Sequence, residues 1–241
     1  AVAPLVFVVD DNASVRKSLS RLLAAAGYTV EAFASAREFL TRVPSEGPCC
    51  LVLDVRMPGL TGIELQAALV AAGRRMSIVF VTGHIDVRMS VKAMKGGAVD
   101  LLTKPIDRQE LLAAIERAVR KDEKDLSEEI RIAEIRQRVK TLTVRETQVF
   151  ALVVTGMLNK QIAFDLGVVE KAIKVHRARV MEKMRAGSMA ELVRLADAVG
   201  GIVPSAGDSL GSRDDHVRAV FLRGEPHRPR VRGGVCRSLP G

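Results

Sequence analysis

Five short apolar runs, each followed by a segment with helical periodicity, constrain the fold of this chain more than any other feature. The runs lie near residues 5–9, 28–33, 50–53, 77–81 and 99–103. The helical segments lie near residues 14–26, 36–42, 62–72, 86–95 and 108–120. Strands that alternate with helices form parallel sheets with helices on both faces. Residues 1–120 are therefore predicted to form an α/β domain around a five-stranded, doubly wound parallel sheet.

Polar residues stand just after four of these runs. Asp10 and Asp11 follow the first run, Asp54 the third, Thr82 the fourth and Lys104 the fifth. The carboxyl ends of parallel strands meet at one edge of a sheet, so these side chains are expected to lie together. Acids at such an edge can hold Mg²⁺, which offsets the repulsion between a carboxylate and an incoming phosphoryl group. Hydroxyl and ammonium groups can then bind the oxygens of that phosphoryl group. Asp54 is therefore predicted to accept a phosphoryl group.

Each of these elements also has an ordinary structural explanation. Asp10 and Asp11 could cap the next helix, Asp54 could open a turn, and Lys104-Pro105 could be a loop. Their joint order along the strands is what favours phosphoryl chemistry. An aspartate-nucleophile phosphatase is disfavoured because such enzymes often carry a second acid two positions further on, where this chain has Arg56. Nucleotide binding is disfavoured because no strand is followed by a Gly-rich phosphate loop or a Walker motif.

Taken together, these motifs resemble a response-regulator receiver domain over residues 3–120. The matching stretches are residues 8–11, 54–59, 81–84 and 97–105. The resemblance implies a flavodoxin-like fold and a sensor histidine kinase as the phosphoryl donor. It also implies that Mg²⁺ is bound by Asp10, Asp11, Asp54 and the backbone carbonyl of Arg56.

The resemblance further assigns roles after phosphorylation. Thr82 and Lys104 would contact the modified Asp54, and Arg56 and His84 occupy variable positions that influence how long the acyl phosphate survives. The chain departs from the family at Leu101, where a Phe or Tyr that moves on activation is usual. Leu101 is retained as a candidate switch residue, with its usual coupling to Thr82 left open.

Residues 121–140 alternate acids and bases without glycine or proline and are predicted to form a helical linker. Their weak apolar seam has two alternative explanations, a solvated helix or a contact with a partner helix. Residues 141–200 carry only helical patterns, separated by glycines, which suits a small all-α helix-turn-helix domain. Residues 201–241, rich in Gly, Ser, Pro and Arg, are predicted to be a flexible basic tail.

Residues 142–195 resemble the LuxR-type helix-turn-helix of FixJ- and NarL-like regulators. The matching pieces are residues 142–146, 156, 159–163, 166–167, 174–177 and 190–192. The family implies dimerisation on DNA, partly through the last helix at 189–199, and RNA polymerase is a further candidate partner. Two departures stand out: Val144 and Val169 occupy positions where proline or serine is common. Val169 has no side-chain oxygen for capping the next helix, and loss of such a cap costs about 1 kcal/mol.

The helix predicted at 170–184 is the candidate DNA-contacting element, since it lies in the densest basic cluster of a chain with net charge +9. One apolar stripe is predicted to pack inward, and it consists of Ile173, Val180 and Met184. The opposite face is predicted to enter the major groove, and it carries Lys171, Lys174, Val175 and Ala178.

Individual contacts are assigned by side-chain chemistry. Lys174 could contact a guanine edge or a phosphate, and Val175 a thymine methyl group. Lys171, Arg177 and Arg179 are better candidates for phosphate contacts, which orient a protein on DNA without specifying sequence. Arg177 could instead form a structural ion pair. A solvated basic helix is the alternative for the whole face.

The sequence thus favours a cytoplasmic two-component regulator that binds double-stranded promoter DNA, as a homodimer when phosphorylated. The alternative is a DNA-binding regulator without phosphorylation control, suggested by Leu101 and the missing cap at Val169. No enzyme activity is expected beyond Mg²⁺-dependent phosphorylation and dephosphorylation of the chain itself. The apolar runs are much shorter than the roughly 18 residues that a membrane span needs, so no membrane association is expected.

Overall fold

The computed structural model describes residues 3–42, 45, 47–83 and 86–200, which divide into two compact units, one ending at Ser127 and the other beginning at Glu128. The predicted tail at 201–241 and His84 lie outside the described residues. None of the helices in the described part combines the length and the apolar character that crossing a membrane requires.

The first unit contains a parallel sheet, and the described residues contribute five strands to it. The strands are β1 (Leu5–Val9), β2 (Thr29–Phe33), β3 (Cys49–Asp54), β4 (Ser77–Thr82) and β5 (Asp100–Thr103). Their spatial order is β2-β1-β3-β4-β5, with all pairs parallel. The predicted α/β class and five-stranded doubly wound sheet are confirmed. In this order the chain changes direction between β1 and β3, and the carboxyl edge at such a point is where open α/β sheets bind ligands.

Helices cover both faces of the sheet. They are α1 (Ala13–Ala25), α2 (Ala36–Leu40), α3 (Gly62–Ala71), α4 (Val87–Lys95) and the first part of α5 (Arg108–Lys140). Successive strand residues point to opposite faces, so Phe7 and Leu51 join a core cluster with α2, α3 and α4. Val8 and Val52 join the other cluster, with α1 and α5. Burial on both faces explains why the inner strands β1, β3 and β4 are nearly continuous apolar runs.

The second unit is helical, as predicted. Besides the end of α5 it contains α6 (Val144–Val154), α7 (Asn159–Asp165), α8 (Glu170–Met184) and α9 (Met189–Ala198). One buried cluster joins these helices, with members that include Ile135, Phe150, Ile162, Ile173 and Leu192. The unit therefore has its own hydrophobic core.

The predicted helix at 108–120 and the predicted helical linker at 121–140 form one continuous helix, α5. Its apolar seam is divided: Ile130 is exposed, whereas Ile135 and Val139 are buried in the core of the helical unit. Part of the seam therefore belongs to that core. Such a short apolar pattern in the sequence could not distinguish core packing from a solvated helix surface. The domain limits at residues 120 and 140 stay predictions along this continuous helix.

Candidate functional site

Four of the residues predicted to lie together do so at the carboxyl edge of the sheet. Asp54 is the last residue of β3 and Asp10 directly follows β1. Carboxylate oxygens of Asp10, Asp11 and Asp54 lie within 4.8 Å of one another. Lys104, after β5, donates from Nζ to Asp10 and Asp54 at 2.7 and 3.3 Å. The edge thus combines three acids and one ammonium group.

Thr82 ends β4 and is fully buried. Its carbonyl oxygen accepts a hydrogen bond from the Lys104 backbone N–H at 2.8 Å, which ties the ends of β4 and β5 together. The predicted hydroxyl and the predicted amine therefore come from adjacent, hydrogen-bonded positions. Because the hydrogen bond between them fixes both backbones, the side chains of Thr82 and Lys104 project from defined positions at the edge of the sheet.

The charges at this edge perturb one another. Burial raises the pKa of Asp54 above its ordinary value, the Lys104 ammonium opposes this shift, and the neighbouring Asp10 adds to it. Partial burial disfavours the charged form of Lys104, but its hydrogen bond to Asp10 and the charge of Asp54 outweigh burial and raise its pKa. Lys104 therefore stays charged at neutral pH and neutralises part of the negative charge of the acids.

The donor set fits a hard divalent cation. All three acids offer carboxylate oxygens, and Asp11 is exposed while Asp10 and Asp54 are buried. Mg²⁺ prefers oxygen ligands and keeps water in its coordination shell, which an exposed Asp11 allows. The Arg56 backbone N–H donates to Asp54 Oδ1 at 3.4 Å, so the chain after β3 folds back over the carboxylate. Coordination by the Arg56 carbonyl stays a prediction.

Helix α8 presents the face that periodicity predicted. Ile173, Val180 and Met184 are its buried residues. The exposed residues include all four on the face predicted to enter the major groove and one further phosphate candidate, namely Lys171, Lys174, Val175, Ala178 and Arg179. Contact of these side chains with DNA stays a prediction.

Two basic side chains on α8 have partners within the unit. Arg177 is half-buried and donates to Asn159 Oδ1 at 3.1 Å, which is a hydrogen bond to an amide and not the suggested ion pair. Lys174 pairs with Glu170 at 3.2 Å on the surface. Val169 precedes α8 without a side-chain capping hydrogen bond, as its side chain dictates. The first N–H groups of α8 are thus left without a side-chain cap at this residue.

Both units match known family models. The model described as the response regulator receiver domain matches residues 6–116, and the model of bacterial regulatory proteins of the luxR family matches residues 140–196. Nodulation protein W of Bradyrhizobium diazoefficiens is 45% identical over 196 residues, covering 81% of this chain and 86% of the relative.

The chain belongs to the response regulator family.

Within this family the chain is similar to FixJ-type transcriptional regulators with a LuxR-type DNA-binding domain. Transcriptional regulatory protein FixJ of Bradyrhizobium diazoefficiens is 44% identical over 195 residues, covering 81% of this chain and 95% of the relative. The solved structure of response regulator StyR superposes with a TM-score of 0.71 at 45% identity, covering 81% of this chain and 99% of that one. These relatives are regulators and lend no support to the phosphatase alternative.

Leu101, where this family usually has Phe or Tyr, lies in the sheet close to Thr82. Leu101 lies on β5 opposite Phe80 of β4 and is half-buried against the core of one sheet face. It thus lies two residue pairs along the strands from Thr82, whose partner on β5 is Thr103. Whether Leu101 acts as a switch residue stays a prediction.

Sequence reasoning missed Gly62 at the receiver site. Gly62 is the first residue of α3 and lies between the two capping-box residues, Thr61 and Glu64. A Cβ atom at Gly62 would lie 2.3 Å from the backbone oxygen of Asp54. Only glycine lets the helix start this close to the end of β3. The signal was available as Thr61-Gly62 shortly after Met57-Pro58-Gly59, but a capping box does not indicate what the helix start will touch.

Sequence reasoning also missed the residues that hold α8 in place. Lys183 Nζ donates to the buried carboxylate of Glu146 at 2.6 Å and to the Thr141 carbonyl at 3.0 Å. Glu146 also forms the capping box of α6 with Thr143. Thr143 and Glu146 at capping-box spacing were a visible signal of a helix start. Nothing in the sequence paired Glu146 with a lysine 37 positions later.

Arg16 was missed as well. It lies in the first turn of α1, and its Nη1 donates to the carbonyls of Asp10 and Asp11 at 2.8 and 2.9 Å. Side chains in an α-helix tilt toward its N-terminus, so a basic residue in the first turn is directed at the preceding loop. That tilt was the signal that could have identified it.

Proposed function

We propose that this response regulator is controlled by transfer of a phosphoryl group from a histidine kinase to Asp54, and that the modified protein binds promoter DNA as a dimer. One observation carries the proposal. The buried Asp54 carboxylate lies among Asp10, Asp11 and Lys104, in a chain that also presents the exposed basic face of α8. RNA polymerase and a cytoplasmic location belong to the same proposal.

In the proposed transfer, a carboxylate oxygen of Asp54 attacks the phosphorus of the donor's phosphohistidine. The P–N bond breaks, its electron pair returns to the imidazole nitrogen, and an acyl phosphate forms on Asp54. Asp10, Asp11, Asp54 and the Arg56 carbonyl would hold Mg²⁺, which supplies the positive charge that reduces the repulsion between two anions. The ionised carboxylate is the nucleophile, so no general base is proposed.

Lys104 and Thr82 are proposed to bind the phosphoryl oxygens after transfer. In the unmodified protein the Lys104 ammonium is bound to Asp10 and Asp54. A phosphoryl group on Asp54 brings more negative charge to the same place, and the ammonium can move to it over a short distance. The Thr82 hydroxyl is a neutral donor for the same group. This exchange of partners would bias a two-state receiver toward its active form.

DNA binding is assigned to α8. Lys174, Val175 and Ala178 are proposed to face the base edges, with Lys171, Arg177 and Arg179 at phosphates. Arg177 already has its guanidinium fixed by Asn159 at 3.1 Å, which reduces the entropy lost when it binds a phosphate.

Only part of the apolar surface of α9 is available for the proposed dimerisation. Leu192, Leu195 and Ala196 are buried in the core of the helical unit itself. Val193 and Val199 are half-buried and retain apolar surface for a second copy. The dimer is therefore proposed on the family resemblance together with these two residues.

Selection of bound sequences from a random DNA pool tests the proposal. The full chain is used with Mg²⁺ and a small phosphodonor, beside unmodified protein and the Asp54→Asn variant. We expect selected DNA to bind the phosphorylated protein at least tenfold more tightly, with a doubled particle mass on DNA, and no gain for Asp54→Asn. Equal affinity for all three samples contradicts phosphorylation control.

A second candidate, regulation without phosphorylation, is favoured by Leu101. Its half-buried aliphatic side chain lacks the ring that this family usually moves on activation. If this candidate is correct, Asp54→Asn and unmodified protein bind the selected DNA with the affinity of phosphorylated protein at matched salt. The same experiment therefore separates the two functions.

A further inference from the structure

One residue of α1 binds every backbone carbonyl of the loop that carries the acid pair. Arg16 Nη1 donates to the carbonyls of Asp10 and Asp11 at 2.8 and 2.9 Å. The backbone N–H of Arg16 donates to the carbonyl of Asn12 at 3.0 Å. The bond to Asn12 is the first backbone hydrogen bond of α1, which any residue at position 16 can make. The peptides of Asp10 and Asp11, by contrast, take their orientation from the half-buried Arg16 side chain.

The two acids of this loop differ in what else holds them. Asp10 is buried, accepts from the Asn12 N–H at 2.8 Å and binds Lys104. Asp11 is exposed, and among the described residues its carboxylate has no hydrogen-bond or ion-pair partner. The position of the Asp11 carboxylate thus depends on its own backbone, and the side chain that binds this backbone is Arg16.

The chemistry of the contact suits a cation site. A guanidinium group bonded to a carboxylate would occupy the oxygens that a metal ion needs. Arg16 instead binds backbone carbonyls, so it fixes the peptides without occupying a carboxylate oxygen of Asp10 or Asp11. A planar guanidinium holds its donors in a rigid arrangement, so it can orient two carbonyls at once.

We propose that Arg16 is a positioning residue for the divalent cation: it orders residues 10–12 so that the Asp11 carboxylate meets those of Asp10 and Asp54. The proposal rests on the Mg²⁺ site proposed above. Residues that orient metal ligands without touching the metal typically contribute about ten- to a hundredfold in affinity.

The test is titration calorimetry of the unphosphorylated full chain with Mg²⁺, using Arg16→Gln, Arg16→Lys and Arg21→Gln. Arg21 is an exposed residue of the same helix, so Arg21→Gln removes one positive charge without touching the loop. Arg16→Lys keeps the charge and hydrogen-bond donors but lacks the planar group. Circular dichroism and thermal unfolding identify the folded fraction of each variant before titration.

We expect Mg²⁺ to bind Arg16→Gln about tenfold more weakly than the unsubstituted chain. Arg16→Lys should lie between them, and Arg21→Gln should stay within twofold of the unsubstituted chain. Amide hydrogen exchange in metal-free buffer should rise in the peptide covering residues 8–16 of Arg16→Gln and not of Arg21→Gln. If Arg16→Gln does not fold, an Mg²⁺ affinity of Arg16→Lys equal to that of the unsubstituted chain overturns the proposal.

Two further outcomes overturn it. If folded Arg16→Gln loses thermal stability but keeps its Mg²⁺ affinity, Arg16 serves only to stabilise the start of α1. If Arg21→Gln weakens Mg²⁺ binding as much as Arg16→Gln, the effect is one of net charge. The Asp11→Asn variant tests the underlying site separately: unchanged Mg²⁺ binding there would reject the metal site, whereas weakened binding there with an unaffected Arg16→Gln rejects only the role of Arg16.

Discussion

The ammonium of Lys104 lies 2.7 Å from Oδ2 of Asp10, a residue 94 positions earlier in the chain. The same Nζ reaches Asp54 at 3.3 Å. Lys104 therefore offsets the charge of the two buried acids in the unmodified protein, and it occupies part of their capacity for a cation. In the proposed transfer, Lys104 exchanges these partners for the phosphoryl group on Asp54.

Removing that ammonium should strengthen metal binding. In Lys104→Met, Asp10 and Asp54 lose a competing cation, so we expect Mg²⁺ to bind roughly threefold to tenfold more tightly, equivalent to about 1 kcal/mol. Titration calorimetry measures the change. Lys95→Met, which removes an exposed lysine from the last turn of α4, is the control for net charge. Weaker Mg²⁺ binding by Lys104→Met would show that Lys104 supports the metal site instead of competing with it.

The raised pKa of Asp54 predicts a pH-dependent stability. Burial, with a further contribution from Asp10, raises this pKa above the ordinary value of 3.8 despite Lys104. Between 3.8 and the raised value the native state binds more protons than the unfolded chain. The free energy of unfolding therefore falls as pH rises through that window, and the loss persists above it.

The Asp54→Asn variant has no carboxyl group at this position, so it should not lose this free energy of unfolding as pH rises. In metal-free buffer we expect the variant to have a higher Tm than the unsubstituted chain at pH 7, with a difference that shrinks as pH falls through the window. Thermal unfolding across that pH range measures it. Mg²⁺ should reduce the difference in Tm, because Asp54→Asn lacks one of the proposed ligands and is stabilised less by the ion than the unsubstituted chain. A lower Tm for Asp54→Asn at pH 7 without metal would contradict the expectation.

The pair of Lys183 and Glu146 should stabilise the helical unit. Lys183→Met leaves the buried Glu146 carboxylate without its cation. Breaking a buried pair costs about 3–5 kcal/mol, but the Lys183 side chain is 34% exposed, so we expect about 1–3 kcal/mol. Hydrogen exchange of peptides from α6 and α8 measures the loss. Lys171→Met, at an exposed position of α8, should change stability by no more than about 0.5 kcal/mol.

The two kinds of contact assigned to α8 predict different effects on DNA binding. Lys171→Ala should weaken binding to all sequences and reduce the slope of log affinity against log salt by about 1. Val175→Ala should leave that slope unchanged and alter the ranking among sites that differ at one thymine. Fluorescence anisotropy at several salt concentrations measures both. An unchanged slope for Lys171→Ala would remove it from the phosphate contacts.

Gly62 should not tolerate even one extra carbon atom. A Cβ atom at this position would lie 2.3 Å from the Asp54 backbone oxygen, so Gly62→Ala must displace either α3 or the end of β3. Overpacking of this kind costs about 1–3 kcal/mol. Gly47→Ala is the control, because a Cβ atom there meets nothing within 4 Å. Urea unfolding compares the two, and similar midpoints would show that the helix start can shift freely.

Much of the fold could be predicted because its signals are local. The alternation of apolar runs and helical segments placed each strand end within one or two residues of where it lies, for example β1 at Leu5–Val9. Period 3.6 assigned Ile173, Val180 and Met184 to the buried side of α8. Patterns fail where burial depends on distant partners, as for Ile135 and Val139 of α5, whose core lies in α6 to α9.

By itself, the sequence determined the parallel sheet, the order of its polar strand ends and the basic face of α8, because period-2 and period-3.6 patterns and strand ends are properties of nearby residues. Only the tertiary structure decided which charged side chains contact one another and which carbonyls they bind. The contacts of Lys104 with Asp10, of Lys183 with Glu146 and of the Arg16 side chain with two carbonyls depend on side-chain direction and on backbone placement to within about 1 Å. Hydrogen bonds weaken steeply when donor and acceptor move apart or out of line, and the spacing of residues along a chain does not specify these positions.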